Sequence, residues 1–276
     1  MPCSVMKMGI YMLPYIEVFG HKVSMYVIMC LSGIGLAILS GSSRSRITGV
    51  PREDVFHSYL LGVIGLLVGG KIMYIASLFP LILKNMRNII KNPEMLLVFG
   101  TGGFVFYGGI IGGIAVVIIY CKKYKINTLA MLDTIAPSIP LAHAFGRLGC
   151  LSAGCCYGCE YHGPFSLFFP EGGAAPHGIG LFPSQPAEAA VNFVLFIVLT
   201  LIGRQKRKDG ILLGIYVILY AVARFILEFF RGDAGRGIFF GLSFSQWLSI
   251  LIIPVGFYLI VRPHLVKNRD KIDIKP

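Results

Sequence analysis

Two arginine-bearing stretches hold residue types that could do chemistry. His143-Ala-Phe-Gly-Arg-Leu-Gly149 sets Arg147 between Gly146 and Gly149 at the mouth of an apolar segment. A guanidinium there costs roughly 2.5–3.5 kcal/mol on insertion scales, so an anionic partner is expected. The glycines let another group approach the backbone closely. In Tyr220-Ala-Val-Ala-Arg-Phe-Ile-Leu-Glu-Phe-Phe-Arg231, the spacing puts Tyr220, Arg224, Glu228 and Arg231 on one helical face. That stripe should look into a bundle or onto water. One reading is a self-neutralising Arg224–Glu228 pair. The other counts two arginines against one glutamate, adds Arg147, and assigns the surplus positive charge to a phosphate, whose geometry a guanidinium matches bidentately. The chemistry that follows is capture of an anionic lipid headgroup.

A second constellation is Gly100-Thr-Gly-Gly-Phe-Val-Phe-Tyr-Gly-Gly-Ile-Ile-Gly-Gly113. Gly108 with Gly112, and Gly109 with Gly113, give a flat face for close helix packing. Gly100, Gly102 and Gly103 precede the span, where irregular backbone is tolerated if it lines a cavity. Tyr107 reads as an interfacial aromatic, or as a hydroxyl aimed into that cavity. A third is the run Cys150, Cys155, Cys156 and Cys159. Its alternatives are a disulfide, small buried thiols or a metal site, and the adjacent Cys155–Cys156 suit tetrahedral zinc poorly. Cys3, Cys30 and Cys121 read as packing residues. Lys71 snorkels or joins the anionic site. Asp133 favours the dipole of its own helix. His143 shares a face with Arg147, Ser184 reads as a helix cap, and Glu188 as a partner for a buried arginine.

The elements that must position these residues are membrane helices. The chain is 55% hydrophobic and 14% charged, against about 25% charged in soluble domains. Apolar stretches near spanning length run at about 23–40, 57–79, 103–121, 129–148, 187–202, 211–230 and 242–261. This predicts an all-α polytopic membrane protein, a bundle of seven transmembrane helices forming one domain over 1–276. An irregular extracytoplasmic cap is expected at 151–186. Pro137 and Pro140 should kink the fourth span. No signal-peptide pattern is evident in Met1–Gly20. The net charge of +12 would suggest nucleic acid in a soluble protein, but these basic residues fall mostly in short loops. No nucleic-acid partner is therefore expected; the bilayer is.

The loop charges set an orientation. Arg44, Arg46, Arg52, Lys122, Lys123, Lys125, Arg204, Lys206, Arg207 and Lys208 share one side with the tail residues Arg262, Lys267, Arg269, Lys271 and Lys275. Lys7, Lys22, Lys84, Arg87, Lys91, Arg231 and Arg236 are fewer and oppose them. The richer side is expected in the cytoplasm, with the C-terminus; the N-terminus and the cysteine run are expected outside.

Several of these motifs, in order along nearly the whole chain, resemble the prolipoprotein diacylglyceryl transferase family. They are Gly146-Arg-Leu-Gly149, Gly102-Gly103…Phe106-x-Gly108-Gly109, Pro183-Ser-Gln185…Glu188 and Tyr220-x3-Arg-x3-Glu-Phe-Phe-Arg231. Glu53-Asp54…Gly69-Gly70-Lys71, Asp133-x-Ile-Ala-Pro137 and Gly241-Leu-Ser-x3-Gln246 extend the match. The resemblance implies seven spans in the bacterial inner membrane with the N-terminus outside. It implies transfer of the diacylglyceryl group of phosphatidylglycerol to the lipobox cysteine of a prolipoprotein signal peptide, with glycerol phosphate leaving. It implies that Arg147 binds the headgroup, that Tyr220 and Arg224 are catalytic, and that Tyr26 matches a first-span tyrosine.

On that reading Tyr107, Arg147, Tyr220 and Arg224 carry the chemistry. Tyr26, Gly102, Gly103, Gly108, Gly109, Gly146, Gly149, Glu188, Glu228 and Arg231 line the substrate site, with no metal and no cofactor required. Arginines would answer the charge gathering on the leaving phosphate. The nucleophilic thiolate comes from the substrate, so none of this chain's cysteines need act. The chain departs from the family pattern at Tyr107, where histidine is usual, at Cys150 and Cys155, where asparagine and glutamate stand, at Pro186-Ala187 and at Ser24. Two rivals remain: a non-enzymatic phospholipid-binding or transport protein on the same scaffold, and a membrane thiol oxidoreductase using Cys150–Cys159. The acceptor, the state of the cysteines and the oligomeric state are not written in the sequence.

Overall fold

The computed structural model describes residues 8–9, 14–86, 92, 94, 102–171, 174–233 and 237–272. Cys3, Lys7, Arg87, Lys91, Gly100, Arg236 and Lys275, used above, lie outside the described residues. The chain is mostly helical, and six helices are long and apolar enough to cross a membrane. They begin with Met25–Thr48 (α1), Arg52–Lys84 (α2) and Phe106–Lys123 (α3). The expected fourth span is two shorter helices, Thr128–Ile135 (α4) and Ser138–Ala153 (α5). Pro137 separates them because its ring clashes with the preceding turn. Pro140 is tolerated in the first turn of α5, where a missing N–H costs nothing. Ser184–Ile202 (α6), Ile211–Leu227 (α7) with a 3-10 turn at Glu228–Phe230, and Phe244–Ile272 (α8) complete the set.

The helices outrun the apolar stretches. At 33 residues α2 is about 50 Å long, well beyond a hydrocarbon core of about 30 Å. Arg44 and Arg46 accordingly lie within α1 rather than in a loop. Arg44 is buried, and its Nη1 donates to Gly203 O at 3.1 Å. A cation at the carbonyl end of α6 meets the negative pole of that helix.

The described residues form two units. The first holds Met1–Gly49 and Leu132–Pro276, the second Val50–Met131. In the second unit α2 and α3 pack through glycines. A Cβ on Gly112 would meet Gly69 Cα at 2.8 Å, and one on Gly108 would meet Gly69 O at 2.6 Å. Nothing larger fits, which is the small-residue face expected from the spacing. Gly102 and Gly103, ahead of α3, lie against α2. Lys71 Nζ donates to Gly102 O at 2.5 Å, and Val105 N donates to Gly70 O at 3.2 Å. Gly103 adopts φ +40° with the Tyr74 ring against it. Tyr107 is half-buried, its ring 6.3 Å from that of Phe106.

In the first unit, a hairpin of Tyr15–Val18 and His21–Ser24 leads into α1. α1 lies on α5, with Gly33 facing Ala142 and Phe145. α7 lies on α8 through Gly214 and Gly256. The described residues of 154–183, between α5 and α6, are not helical. They are joined by the bridges Glu160–Leu181, Leu167–Leu181 and Phe169–His177. Leu167, Phe169, Ala175 and Leu181 bury a small apolar core there, backed by Leu151 and Tyr157. Two further strand pairs, Met8–Gly9 with Leu167–Phe168 and Ile238–Phe239 with Leu242–Ser243, qualify the all-α expectation.

Candidate functional site

Three arginines of the first unit converge on Glu188, in the second turn of α6 and 2% exposed. Arg147, from the C-terminal half of α5, places Nε 2.7 Å from Glu188 Oε2. Arg224, near the end of α7, places Nη1 3.3 Å from Oε1, and Arg231, past the 3-10 turn, places its Nη1 3.8 Å away. One helix turn on, Asn192 Nδ2 donates to Glu188 O at 2.8 Å, steadying that part of α6.

Each arginine has further partners. Arg147 Nε donates to His143 Nε2 at 3.2 Å, so His143 is neutral at that nitrogen. The His143 ring lies 5.7 Å from that of Tyr220, linking the tyrosine to Arg147. Arg224 Nη2 sits 2.6 Å from Glu228 Oε2 and 3.4 Å from Ser245 Oγ. Arg231 forks onto Asp233 through Nε at 2.9 Å and Nη2 at 2.6 Å. Burial works against the Arg231 charge, but Asp233 and Glu188 outweigh it and hold its pKa above the ordinary value. Asp233 drew no attention in the sequence; its signal was its place two residues after Arg231.

The charge count changes the argument made from the α7 stripe. Arg147, Arg224 and Arg231 face Glu188, Glu228 and Asp233, so the cluster is formally neutral and the surplus positive charge is not there. Both contacts of Arg147 among the described residues run through Nε. Its Nη edge takes no part in either contact. Beside it Gly146 has nothing within 4 Å of where a Cβ would stand. Gly149 is the opposite case, with Tyr26 Cδ2 3.0 Å from that point. That close approach holds the first turn of α1 against α5, while the Tyr26 side chain stays 41% exposed.

The cysteines border this cluster. The sulfurs of Cys150, Cys155 and Cys156 lie within 4.8 Å of one another, and Cys159 is not among them. The described cysteines are free thiols. Hydrogen bonds from the Cys150 and Cys155 thiols, with Arg147 and Arg231 in electrostatic reach, hold the Cys156 thiol below the usual thiol range. Ser184 does not cap α6; its Oγ donates to Cys156 O at 3.0 Å, and Gln185 Nε2 donates to Cys155 O at 2.8 Å. Asp133 serves a helix terminus other than its own. Its carboxylate accepts from Gly210 N and Leu213 N, both at 2.7 Å, at the start of α7.

Of the residues singled out from the sequence, Arg147, Glu188, Arg224, Glu228 and Arg231 come together, with Tyr220 reached through His143 and with Gly146, Gly149 and Tyr26 alongside. Tyr107, Gly102, Gly103, Gly108 and Gly109 belong to the second unit.

These features define a class: a multi-pass helical membrane protein that buries an arginine–carboxylate cluster where α5, α6 and α7 meet the loops. The family model for prolipoprotein diacylglyceryl transferase matches residues 14–262, and the chain belongs to that family. A phosphatidylglycerol–prolipoprotein diacylglyceryl transferase of Clostridium tetani is 40% identical over 243 residues, 88% of this chain and 94% of the relative. The Clostridium perfringens protein of that name numbered 2 is 35% identical over 255 residues, covering 92% and 96%. One from Idiomarina loihiensis is 36% identical over 214 residues, covering 76% and 77%. The relatives are bacterial, and the chain is a multi-pass bacterial membrane protein.

Proposed function

We propose that this protein transfers the diacylglyceryl group of phosphatidylglycerol to the thiol of a lipobox cysteine in a prolipoprotein. The observation that carries the reading is the buried cluster around Glu188 in a chain whose relatives bear that activity in their names. In the reaction the substrate thiol loses its proton and its sulfur bonds to the glyceryl carbon. The carbon–oxygen bond to phosphate breaks and glycerol phosphate leaves. The phosphate meets Arg147 at its Nη edge, with Arg224 and Arg231 behind it. Glu188 and Glu228 hold those guanidiniums in place before the lipid arrives, so little reorganisation is needed as charge develops. Tyr220 and the neutral His143 orient the reacting groups or relay the thiol proton; the Tyr107 hydroxyl is a separate candidate for the same task. Tyr26, Gly146 and Gly149 border the lipid.

The arrangement in the membrane belongs to the same proposal. α4 and α5 together make a seventh, proline-broken span, and residues 1–276 form one transmembrane domain; the family match across both units supports this. Residues 151–186 cap the bundle outside, the N-terminus lies outside and the C-terminus in the cytoplasm of the bacterial inner membrane, as the loop charges favour. The test is rescue of a transferase-depleted cell. Wild type should restore growth, and Arg147→Ala, checked for its level in the membrane, should not. Growth with Arg147→Ala at normal level would remove that arginine from the site. Unchanged growth with Tyr107→Phe would remove the Tyr107 hydroxyl from the mechanism.

A further inference from the structure

The proposed transfer takes its thiol from the substrate and leaves three of this chain's thiols without a task. They are not scattered. Cys150 lies in the last turn of α5, which ends at Gly154 in the left-handed conformation, φ +66°. Cys156 is itself left-handed at φ +58°, so the chain folds back and brings Cys155 and Cys156 under Cys150. The three sulfurs then stand within 4.8 Å of one another, each residue half-buried.

We propose that Cys150, Cys155 and Cys156 form a three-coordinate thiolate site for a monovalent thiophilic cation of the Cu(I) class. A metal–sulfur bond of about 2.3 Å sets the sulfurs of a planar trigonal site about 4.0 Å apart. The observed spread accommodates that with small rotations, whereas a disulfide requires contraction to about 2.05 Å and favours one pair over the third sulfur. Tetrahedral zinc asks for a fourth ligand, and among the described residues no fourth cysteine, histidine or carboxylate joins the group. Soft thiolates without nitrogen or oxygen ligands select soft cations.

Two further observations point to a built site. The carbonyls of Cys155 and Cys156 are held by Gln185 Nε2 at 2.8 Å and Ser184 Oγ at 3.0 Å, both from the first turn of α6. These contacts fix the backbone that aims two of the three sulfurs, as outer partners do in metal centres. Arg147 and Arg231 also lie within electrostatic reach of Cys156, which favours its thiolate over its thiol. Binding exchanges the thiol protons for the cation and needs no electron transfer. The proposal stands independently of the transfer reaction.

The test is competition for Cu(I) under reducing, oxygen-free conditions between the purified full-length protein and a chromophoric Cu(I) chelator, with Zn(II) and Cd(II) in parallel. Wild type should retain a single Cu(I) per chain with thiolate-to-metal absorption in the ultraviolet. Cys156→Ser should lose that ion, and Cys159→Ser should keep it. Should the Cys156→Ser protein misfold, wild type alkylated at its accessible thiols, with its thermal transition checked, takes its place. Equal retention by wild type and by the blocked or substituted protein overturns the site. So does retention of Zn(II) in preference to Cu(I), or recovery of the three thiols as a disulfide that reduction opens without any gain in Cu(I) binding.

Discussion

Glu188→Gln should loosen the cluster and expose its charge at the same time. The substitution keeps the side-chain shape but removes the carboxylate that lies 2.7 Å from Arg147, 3.3 Å from Arg224 and 3.8 Å from Arg231. Three guanidiniums then face Glu228 and Asp233 alone. At an effective dielectric near 20, unit charges about 4 Å apart attract by about 4 kcal/mol. Desolvation offsets part of that, but breaking a buried pair from one side costs about 3–5 kcal/mol, because the partners stay buried and unmatched. The glutamine oxygen can still accept one hydrogen bond, which places the loss near the lower end, about 3 kcal/mol. At about 2–4 °C per kcal/mol, the midpoint of unfolding in detergent should fall by about 6–12 °C. Kinetics should divide. With a net positive cluster the anionic headgroup binds more tightly, so KM for phosphatidylglycerol falls. The arginines are no longer held in register for the leaving phosphate, so kcat falls by about tenfold or more. The assay is thermal unfolding beside initial-rate kinetics with labelled phosphatidylglycerol and a lipobox peptide. An unshifted midpoint together with a raised KM would refute the reasoning, because Glu188 would then be a direct lipid contact and not the anchor of the arginines.

Other outcomes follow from single contacts. Arg147→Lys keeps the charge but loses the planar fork, so activity should drop about ten- to a hundredfold with little change in unfolding temperature, read by the same two assays. Asp133→Ala strips the acceptor from Gly210 N and Leu213 N, each held at 2.7 Å, and should cost about 2 kcal/mol, seen as a lower midpoint, with Asp133→Asn intermediate. Gly112→Val should abolish folded protein on size-exclusion chromatography, since a Cβ there would meet Gly69 Cα at 2.8 Å, whereas Gly35→Ala, with nothing within 4 Å, should be silent. Cys156 should alkylate with iodoacetamide well below the usual thiol pKa of about 8.5, because a depressed pKa keeps the thiolate populated as pH falls; a rate dropping tenfold per pH unit below that value, followed by mass spectrometry, would contradict the hydrogen bonds it takes from the Cys150 and Cys155 thiols, with Arg147 and Arg231 beyond them.

How far the sequence could be read depended on the range of each interaction. Helices written in long apolar runs were legible, and so was the glycine face of α3, because both are local patterns. The α7 stripe was legible for the same reason: a period of four puts Arg224 and Glu228 together without tertiary information. The net charge of the cluster was not, because Glu188 comes from another helix and Asp233 from the turn beyond Arg231. Asp133 was read against its own helix because the α7 terminus it serves begins at residue 211. Ser184 at a helix start looks like a cap from sequence alone, yet Pro183 holds the cap position and Ser184 is the first helical residue, its hydroxyl donating to Cys156 O. Helix ends were underestimated because a helix can run on through charged residues such as Arg44, whose guanidinium is met by Gly203 O.

The most direct measurement follows two labels on one lipid. Phosphatidylglycerol carrying one isotope in its diacylglyceryl part and another in its phosphate is incubated with the purified protein and a lipobox peptide. The account predicts that the first label becomes thioether-linked to the peptide cysteine while the second appears, mole for mole, in free glycerol phosphate, and that both transfers vanish with Arg147→Ala. Lipid retained by the protein with neither label moving, beside an active relative that moves both, would contradict it.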